Sequence, residues 1–319
     1  MAAWPENPRL ISTNIPRIDG LLKASGRAKY PSDQRPEGTL FGVMLYSPHA
    51  HARIKSVDVS DAKKLPGVKA IVIIGATDEG DKETFGGKGR VVRYHGDDIA
   101  AVAATTEEQA RDAVRAIKVD YEILPHVATE EQAIAPNAPK VVGRGNTQKG
   151  QEQVKGNPQD AVKESDAVVE AVYSAPTITH VCLETHGLTA AWVKPDTIMA
   201  WASTQAVQPT AQELAGRFNI PVTNVTVLTE VMGGGFGSKF GADLWGVTAA
   251  ELSQKAGGAP VKMFLDRVQE HLAAGNRPSC HAKLTIAGKK DGTVTALIAR
   301  ALPALMKTSV WARRTLRML

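Results

Sequence analysis

The residues best suited to chemistry form a glycine-rich segment, Gly-Gly-Gly-Phe-Gly at positions 233–237. It follows an apolar run at 225–231 that predicts a strand, and precedes a stretch at 243–255 that is typical of a helix. In such a strand–loop–helix unit, backbone amides and the helix N-terminus can bind an anion. Ser238 stands where the dinucleotide-binding motif has its third glycine. In a P-loop the lysine follows a glycine and precedes Ser or Thr, whereas Lys239 follows Ser238. The segment predicts either a ligand-binding loop or a tight turn without a ligand, and it disfavours nucleoside triphosphate hydrolysis.

A second candidate is Gln205, in the polar triplet Ser-Thr-Gln at 203–205. The triplet lies between a predicted strand at 198–202 and a predicted helix at 208–218. A side-chain amide at the carboxyl end of a strand can reach a ligand at the edge of the sheet. From these residues alone a helix cap is the simpler interpretation, because Thr204 or Gln205 could satisfy backbone groups of the helix.

The third candidate group is His180, Cys182, Glu184 and His186, which are spaced two residues apart. In an extended segment their side chains would share one face. Their types suit zinc, but ligands in a line along one strand cannot surround a metal ion. We therefore interpret the group as a polar strand edge near a functional crevice, and predict no metal held directly by side chains.

Composition limits the classes of protein to consider. The chain has 319 residues, 43% of them hydrophobic, which is enough for two domains with their own cores. The net charge of +5 is spread along the chain, so nucleic-acid binding is not expected. Two cysteines indicate free thiols rather than a disulfide framework. No apolar run predicts a membrane span, and the N-terminus lacks the apolar core of a signal peptide, so we expect a cytoplasmic protein.

The elements that must position these residues fall into two regions. The first covers 40–122 and alternates strands with helices, which predicts an α/β arrangement. Its predicted strands lie at 40–47, 54–59, 68–74, 99–104 and 118–123. Thr106 and Gln109 predict a capping box at the start of a helix. The stretch 125–158 is rich in proline and glycine and predicts a linker.

The second region begins near residue 167. Besides the elements already named, it has predicted strands at 168–173, 188–193 and 260–265, and a hairpin formed by 284–287 and 293–298. Residues 300–319 are basic and show no strand alternation. They predict either an amphipathic terminal helix or a truncated or frame-altered end.

Several segments together resemble a known family. They are Trp-Ala-Ser-Thr-Gln at 201–205, Leu-Thr-Glu-Val-Met-Gly-Gly-Gly-Phe-Gly-Ser-Lys at 228–239, and Pro-Val-Lys-Met-Phe-Leu-Asp-Arg at 260–267. Glu-Thr-His at 184–186 is similar to the family's Glu-Pro-His, and Ser-Pro-His-Ala-His-Ala-Arg-Ile at 47–54 is similar to its hammerhead domain. The chain resembles the molybdenum-binding large subunit of the xanthine dehydrogenase/aldehyde oxidase/carbon monoxide dehydrogenase family.

The resemblance implies an α+β fold class: an α/β-hammerhead domain followed by the first part of a mixed α+β molybdenum-cofactor-binding domain. The predicted division is a hammerhead-like domain at 15–125, a linker at 126–160, a partial molybdopterin-binding domain at 161–298 and an atypical tail at 299–319.

The resemblance also implies the chemistry. Members hydroxylate aldehydes or N-heterocycles with oxygen derived from water. Molybdopterin, in bacteria usually the cytosine dinucleotide form, holds the molybdenum through its dithiolene, so the protein needs no ligand set of its own. Electrons leave through [2Fe–2S] clusters and often FAD, so an iron–sulfur subunit and a flavin subunit are the implied partners.

Individual residues can be matched to the family's site. Gln205 matches the glutamine that approaches the molybdenum centre. Arg277 matches a substrate-facing arginine of xanthine-specific members. The alternative interpretation is that Arg277 is a charged residue on a surface loop. The loop beside the oxygen ligands of the metal is matched by Gly234, Gly235, Phe236 and Gly237.

Two departures set limits on this reading. Phe240 stands where purine-oxidising members carry a glutamate, which argues against xanthine as the substrate. The family's catalytic glutamate matches no residue, so the catalytic residue is unknown. The alternative hypothesis is therefore a truncated, non-catalytic fragment that cannot hold the cofactor and exposes apolar surface. An unrelated nucleotide-binding protein, suggested by the glycine segment alone, is a third hypothesis.

Overall fold

A computed structural model describes residues 11–74, 90–141, 145–147 and 152–303. The predicted tail at 299–319 lies outside the described residues from 304 onward. The described helices are α1 (Gly20–Ala24), α2 (Ser60–Lys64), α3 (Glu107–Ala116), α4 (Glu130–Ile134), α5 (Pro158–Lys163), α6 (Val207–Phe218), α7 (Asp243–Lys255) and α8 (Arg267–Ala273). None of them combines the length and hydropathy needed to cross a membrane.

The described strands follow in chain order. They are β1 (Leu40–Tyr46), β2 (Ala52–Asp58), β3 (Val68–Ile73), β4 (Val91–Val92), β5 (Asp98–Ala104), β6 (Lys118–Ile123), β7 (Ala167–Ala175), β8 (Ile178–Thr179), β9 (Gly187–Lys194), β10 (Thr197–Ala202), β11 (Val225–Leu228), β12 (Val261–Phe264), β13 (Asn276–Arg277), β14 (Cys280–Gly288) and β15 (Val294–Pro303).

A seven-stranded sheet joins the two halves of the chain. Its order is β11-β10-β9-β12-β1-β5-β3, with β1 parallel to β12. The junction pairs Leu40 with Val261, and the Leu40 N–H donates to the carbonyl of Pro260. The sheet therefore crosses the predicted division at 126–160, and the site strands rest on a wide, continuous base.

Helix α3 covers the first half of this sheet. The Thr106 side chain accepts a hydrogen bond from the Gln109 N–H, so one half of the predicted capping box forms. The Gln109 side chain accepts from the Thr105 hydroxyl instead of completing the box. Ala110, Ala113 and Val114 are buried on one face of the helix, as the spacing predicts. Next to it, β4, β2 and β6 form a separate three-stranded sheet.

Helix α7 packs across the sheet from β9 and β12 to β3, and its observed bounds are those predicted from the sequence. This packing buries most of its surface. The Trp192 indole N–H on β9 donates to the Ala250 carbonyl on α7 at 2.8 Å. Gly246 fits directly over Leu188, where a Cβ would come within 2.6 Å of the leucine side chain. The helix is thus locked onto β9, the strand that leads toward the site.

A third sheet, β15-β14-β7, exposes an apolar face. Ile286 on β14 pairs with Val169 on β7 and with Leu297 on β15, so the three side chains lie side by side. Tyr173 and Leu297 are 60% and 62% exposed. The face therefore leaves a contiguous apolar surface uncovered among the described residues.

Two stretches expected to be irregular carry regular structure. The predicted linker contains α4, which Thr129 caps through a complete capping box, and the start of α5. Strand β15 continues to Pro303, into the stretch that shows no alternation. Residues of β15 pair with β14, for example Arg300 with Lys283. This cross-strand pairing satisfies the backbone groups of β15 and explains a strand that the local sequence pattern does not predict.

Candidate functional site

Gln205 and the glycine loop, residues 233–239, meet at one edge of the main sheet. Gln205 follows β10 and the loop follows β11, and these two strands are parallel neighbours. Their carboxyl ends therefore lie at the same edge. The Gln205 Oε1 atom accepts hydrogen bonds from the N–H groups of Gly237 at 3.0 Å and Lys239 at 3.4 Å. The structure thus brings together the two groups that the sequence singled out.

These hydrogen bonds fix the orientation of the Gln205 carboxamide. Both N–H donors point to one terminal atom, and only the oxygen of an amide can accept them. The Nε2 group is therefore on the other side of the amide. Gln205 is exposed, so Nε2 can donate to an oxygen atom of a ligand.

The glycine loop offers further donors. Among the described residues, none accepts a hydrogen bond from the backbone N–H of Gly234, Gly235 or Phe236. Phe236 has a φ of 51°, and its side chain is 70% exposed. A bulky residue in this left-handed region is strained, and such strain is concentrated at ligand-binding loops.

Close approach explains why glycine occupies two of the loop positions. A Cβ on Gly235 would lie 2.4 Å from the Cδ and Oε1 atoms of Gln205. A Cβ on Gly233 would lie 2.3 Å from the Cβ of Glu184. The contacts that form the site therefore exclude any other residue at these positions without movement of the backbone.

Helix α6 adds electrostatic support. It begins at Val207, just after Gln205, so the positive end of its dipole adjoins the site. Together with the unpaired loop amides, it favours an oxygen-rich, negatively charged ligand.

Beneath the loop lies a buried polar network that sequence reasoning missed. Lys239 is 1% exposed, and its Nζ donates to the Glu184 carbonyl at 2.7 Å and to Ser203 Oγ at 2.6 Å. The Glu184 carboxylate is also buried and accepts from Ser203 Oγ at 2.8 Å. Burial lowers the pKa of Lys239, and nearby acidic groups, Glu184 among them, oppose that effect. The similarity of residues 184–186 to a family motif was the only sequence signal for this network.

The prediction that His180, Cys182, Glu184 and His186 share one strand face is wrong. Strand β8 ends before His180, and Val181 has a φ of 49°, which breaks the alternation of an extended strand. The backbone here is irregular, so the four side chains do not form one row.

Cys182, His186 and Glu270 are buried together, with one potential ligand atom each within 4.8 Å of the others. The Glu270 carboxylate already accepts hydrogen bonds from the His186 N–H at 2.8 Å and from Nδ1 at 2.9 Å. The positive charge of Lys239 also acts on Glu270. A cation beside this cluster disfavours a second one, so the cluster is better described as a buried polar core, in which His186 Nε2 has no hydrogen-bond partner among the described residues.

Arg277 lies on the two-residue strand β13, which pairs with β8. Its guanidinium donates to the Pro176 carbonyl. This hydrogen bond anchors Arg277 near the start of β8. Gln205 and the glycine loop, in contrast, contact each other directly. The role of Arg277 toward a substrate stays a prediction.

Family models match both halves of the chain. Residues 141–304 match the model described as "Molybdopterin cofactor-binding domain". Residues 25–125 match "Aldehyde oxidase and xanthine dehydrogenase, a/b hammerhead domain".

Similar proteins include a molybdenum-binding subunit and a molybdopterin subunit of two dehydrogenases, and an oxidoreductase of known structure. The xanthine dehydrogenase molybdenum-binding subunit of Escherichia coli O157:H7 is 32% identical over 87% of this chain and 39% of its own length. The nicotinate dehydrogenase large molybdopterin subunit of Eubacterium barkeri is 28% identical over 91% of this chain and 69% of its own length. The structure of quinoline 2-oxidoreductase from Pseudomonas putida 86 matches with a TM-score of 0.81 at 29% identity, over 91% of this chain and 39% of that one. The chain thus spans about two fifths of the first of these relatives.

Proposed function

Because this chain belongs to the family of molybdopterin cofactor-binding domains, here preceded by an aldehyde oxidase/xanthine dehydrogenase hammerhead domain, we propose that it forms one wall of the molybdenum-cofactor site of a hydroxylase. The enzyme would hydroxylate an aldehyde or an N-heterocycle with oxygen derived from water. One observation carries the proposal: Gln205 and the glycine loop around Phe236 are joined by hydrogen bonds at one edge of the sheet.

The predicted family and the predicted α+β fold class are confirmed by the two family models and by the quinoline 2-oxidoreductase structure. The chain carries a hammerhead domain followed by a molybdopterin-binding domain, in the predicted order.

The residues at the site fit such a cofactor. It supplies the redox chemistry when bound, and it carries its metal on its own sulfur atoms, so hydrogen-bond donors rather than metal ligands are needed from the protein. Gln205 Nε2 and the N–H groups of Gly234, Gly235 and Phe236 are such donors. Gln205 would orient the group, and the loop would hold its oxygen atoms without competing for the metal.

Finer features of the enzyme are also part of the proposal. We propose the cytosine dinucleotide form of molybdopterin, and [2Fe–2S] clusters and FAD on partner subunits in the cytoplasm. The name of the Escherichia coli relative, a molybdenum-binding subunit, supports a multi-subunit enzyme. Phe240 favours an aldehyde or another N-heterocycle over xanthine, with Arg277 as the proposed substrate contact.

A second candidate function is favoured by the exposed apolar sheet face. The chain alone could be a non-catalytic module that holds no cofactor until another polypeptide covers the face formed by Val169, Tyr173, Ile286 and Leu297. In that state the wall at Gln205 is present, but the opposite side of the site is not.

Molybdenum content separates these functions. We expect the chain, purified from a host that makes molybdopterin, to contain molybdenum and pterin in stoichiometric amounts. A folded chain without either would support the non-catalytic module and contradict cofactor binding by the chain alone. A nucleotide that binds tightly in titration, with no molybdenum present, would favour the nucleotide-binding hypothesis instead.

Gly235→Ala is expected to lower molybdenum and pterin retention about tenfold, because the new Cβ displaces the Gln205 carboxamide and misplaces one donor. The measurement is metal and pterin per folded chain after gel filtration. Gly216→Ala is the matched control, since its Cβ meets nothing within 4 Å and it lies in the last turn of α6. Equal retention in both variants would argue against the Gln205–loop site.

A further inference from the structure

The glycine loop is an arch whose two ends are tied to the same glutamate. At one end, the Gly233 N–H donates to Glu184 Oε2 at 2.9 Å, and the Glu184 N–H donates to the Gly233 carbonyl at 3.2 Å. At the other end, Lys239 Nζ donates to the Glu184 carbonyl at 2.7 Å. Between these ends, the N–H groups of Gly234, Gly235 and Phe236 have no hydrogen-bond acceptor among the described residues, and the Phe236 side chain is exposed.

The same lysine also sets the position of Gln205. Its carbonyl accepts from the Gln205 N–H at 2.8 Å and from Thr204 Oγ1 at 3.2 Å, and its N–H donates to Gln205 Oε1 at 3.4 Å. Its Nζ bonds Ser203 Oγ, which in turn donates to Glu184 Oε2. Three chain segments that are distant in sequence therefore meet at one buried ammonium group.

Electrostatics makes this arrangement specific for a lysine. A buried ammonium needs acidic partners, and a buried carboxylate needs donors, since an unpaired buried charge is strongly unfavourable. The charges acting on Lys239 include those of Glu184 and Glu270, with Cys182 and Arg267 also near. Glu184 Oε1 accepts from the Ser32 N–H at 2.9 Å, so each of its carboxylate oxygens has a donor.

We propose that Lys239, paired with Glu184 through Ser203, is a positioning residue that holds the glycine loop and Gln205 in the geometry that receives the cofactor. Lys239 does not touch the cofactor, because its side chain is buried beneath the loop. The inference rests on the proposed function for the identity of the ligand, but not for the geometry of the loop.

Amide hydrogen exchange tests the geometry on the full chain without cofactor. In Lys239→Met, which keeps the length of the side chain but removes its charge and donors, exchange in peptides covering 232–240 should be at least tenfold faster, the effect of one lost charge-assisted hydrogen bond. Peptides from α7 and β9 should exchange as in the parent, which separates local loosening from general destabilisation. Lys289→Met is the control, because its ammonium also donates to a backbone carbonyl, that of Glu164, far from the loop.

Two further variants keep the test decisive. Ser203→Ala removes one acceptor of Lys239 and the link to Glu184 with the loss of a single oxygen atom, so it is available if Lys239→Met does not fold. Glu184→Gln should loosen the loop as well, and its combination with Lys239→Met should cost less than the two effects added, because both act on one network.

The outcomes distinguish this inference from the proposed function. Faster exchange at 232–240 with reduced molybdenum retention supports both. Faster exchange with no molybdenum in any variant or in the parent supports the positioning role and contradicts the proposed function. Unchanged loop exchange in both Lys239→Met and Ser203→Ala, or equal acceleration throughout the chain, overturns the positioning role.

Discussion

Raising the pH from about 5 to about 8 is expected to lower the free energy of unfolding by several kcal/mol, because Asp98 and Asp243 are buried carboxyl groups. Burial raises the pKa of Asp98 to about 7, and the charge of Asp97 adds to the effect while Arg90 opposes it. Burial likewise raises the pKa of Asp243 to about 7, with contributions from Glu213 and Asp98. Each group is charged in the unfolded chain at a pH where it is still protonated in the folded one.

The direction follows from the protons bound. Because each pKa is higher in the folded state than the ordinary value of 3.8, the folded state binds more protons between these limits. The stabilisation is complete below about pH 4 and is lost as the pH rises through about 7. A rise of this size corresponds to about 4 kcal/mol for each group, of which about 2–3 kcal/mol falls between pH 5 and 8.

Urea unfolding at the two pH values measures this dependence. Asp98→Asn and Asp243→Asn should each reduce it, and the double variant should remove most of it. Asp112→Asn is the control, because Asp112 is an exposed partner of Arg115 on α3. A parent protein that is equally stable at both pH values, or a double variant that keeps the full dependence, would show that the two carboxyl groups do not control it.

Local patterns predicted the elements that have strong periodicity. Helix α7 and strand β6 have the bounds expected from sequence. The spacing of apolar residues indicates both elements, and the glycines after Lys255 end α7. The pairing of β1 with β12 could not be predicted in this way. It joins Leu40 to Val261, and no local pattern reports contacts between residues so far apart in the chain.

The site divides along the same line. The family resemblance implied that Gln205 and the glycine loop share one site, and the structure brings them together because they follow parallel neighbouring strands. Lys239 was not expected in the interior, because a lysine in a polar, glycine-rich segment is normally solvated. Its burial depends on Glu184 and Ser203, which come from other segments, so the set of partners exists only in the folded chain.

Glu270→Ala is expected to lower the free energy of unfolding by about 3–5 kcal/mol, because it leaves two buried nitrogen atoms of His186 without their acceptor and removes a negative charge near the buried Lys239. Glu270 is 1% exposed, and its carboxylate accepts from the His186 N–H and Nδ1. Burial raises the pKa of Glu270, but the hydrogen bonds and charge of His186, together with the charge of Lys239, outweigh it and hold the pKa below its ordinary value. Without the carboxylate, His186 loses its buried hydrogen-bond acceptor and Lys239 loses one of the negative charges near it.

Chemical denaturation near neutral pH measures this loss, and Glu251→Ala on α7 is the matched control. Glu251 pairs with Lys255 at 4.0 Å on the helix surface, and an exposed pair of this kind contributes about 0.5 kcal/mol or less. Glu270→Gln keeps an acceptor but not the charge, so its loss should lie between those of the other two variants. A loss below about 1 kcal/mol for Glu270→Ala would contradict the stabilisation that we assign to the Glu270 carboxylate.

His186 leads directly into β9, and the Gly187 carbonyl there accepts from the Ser203 N–H at 3.1 Å. Loosening of His186 therefore passes to Ser203 and Lys239, so Glu270→Ala should also speed amide exchange in the glycine loop.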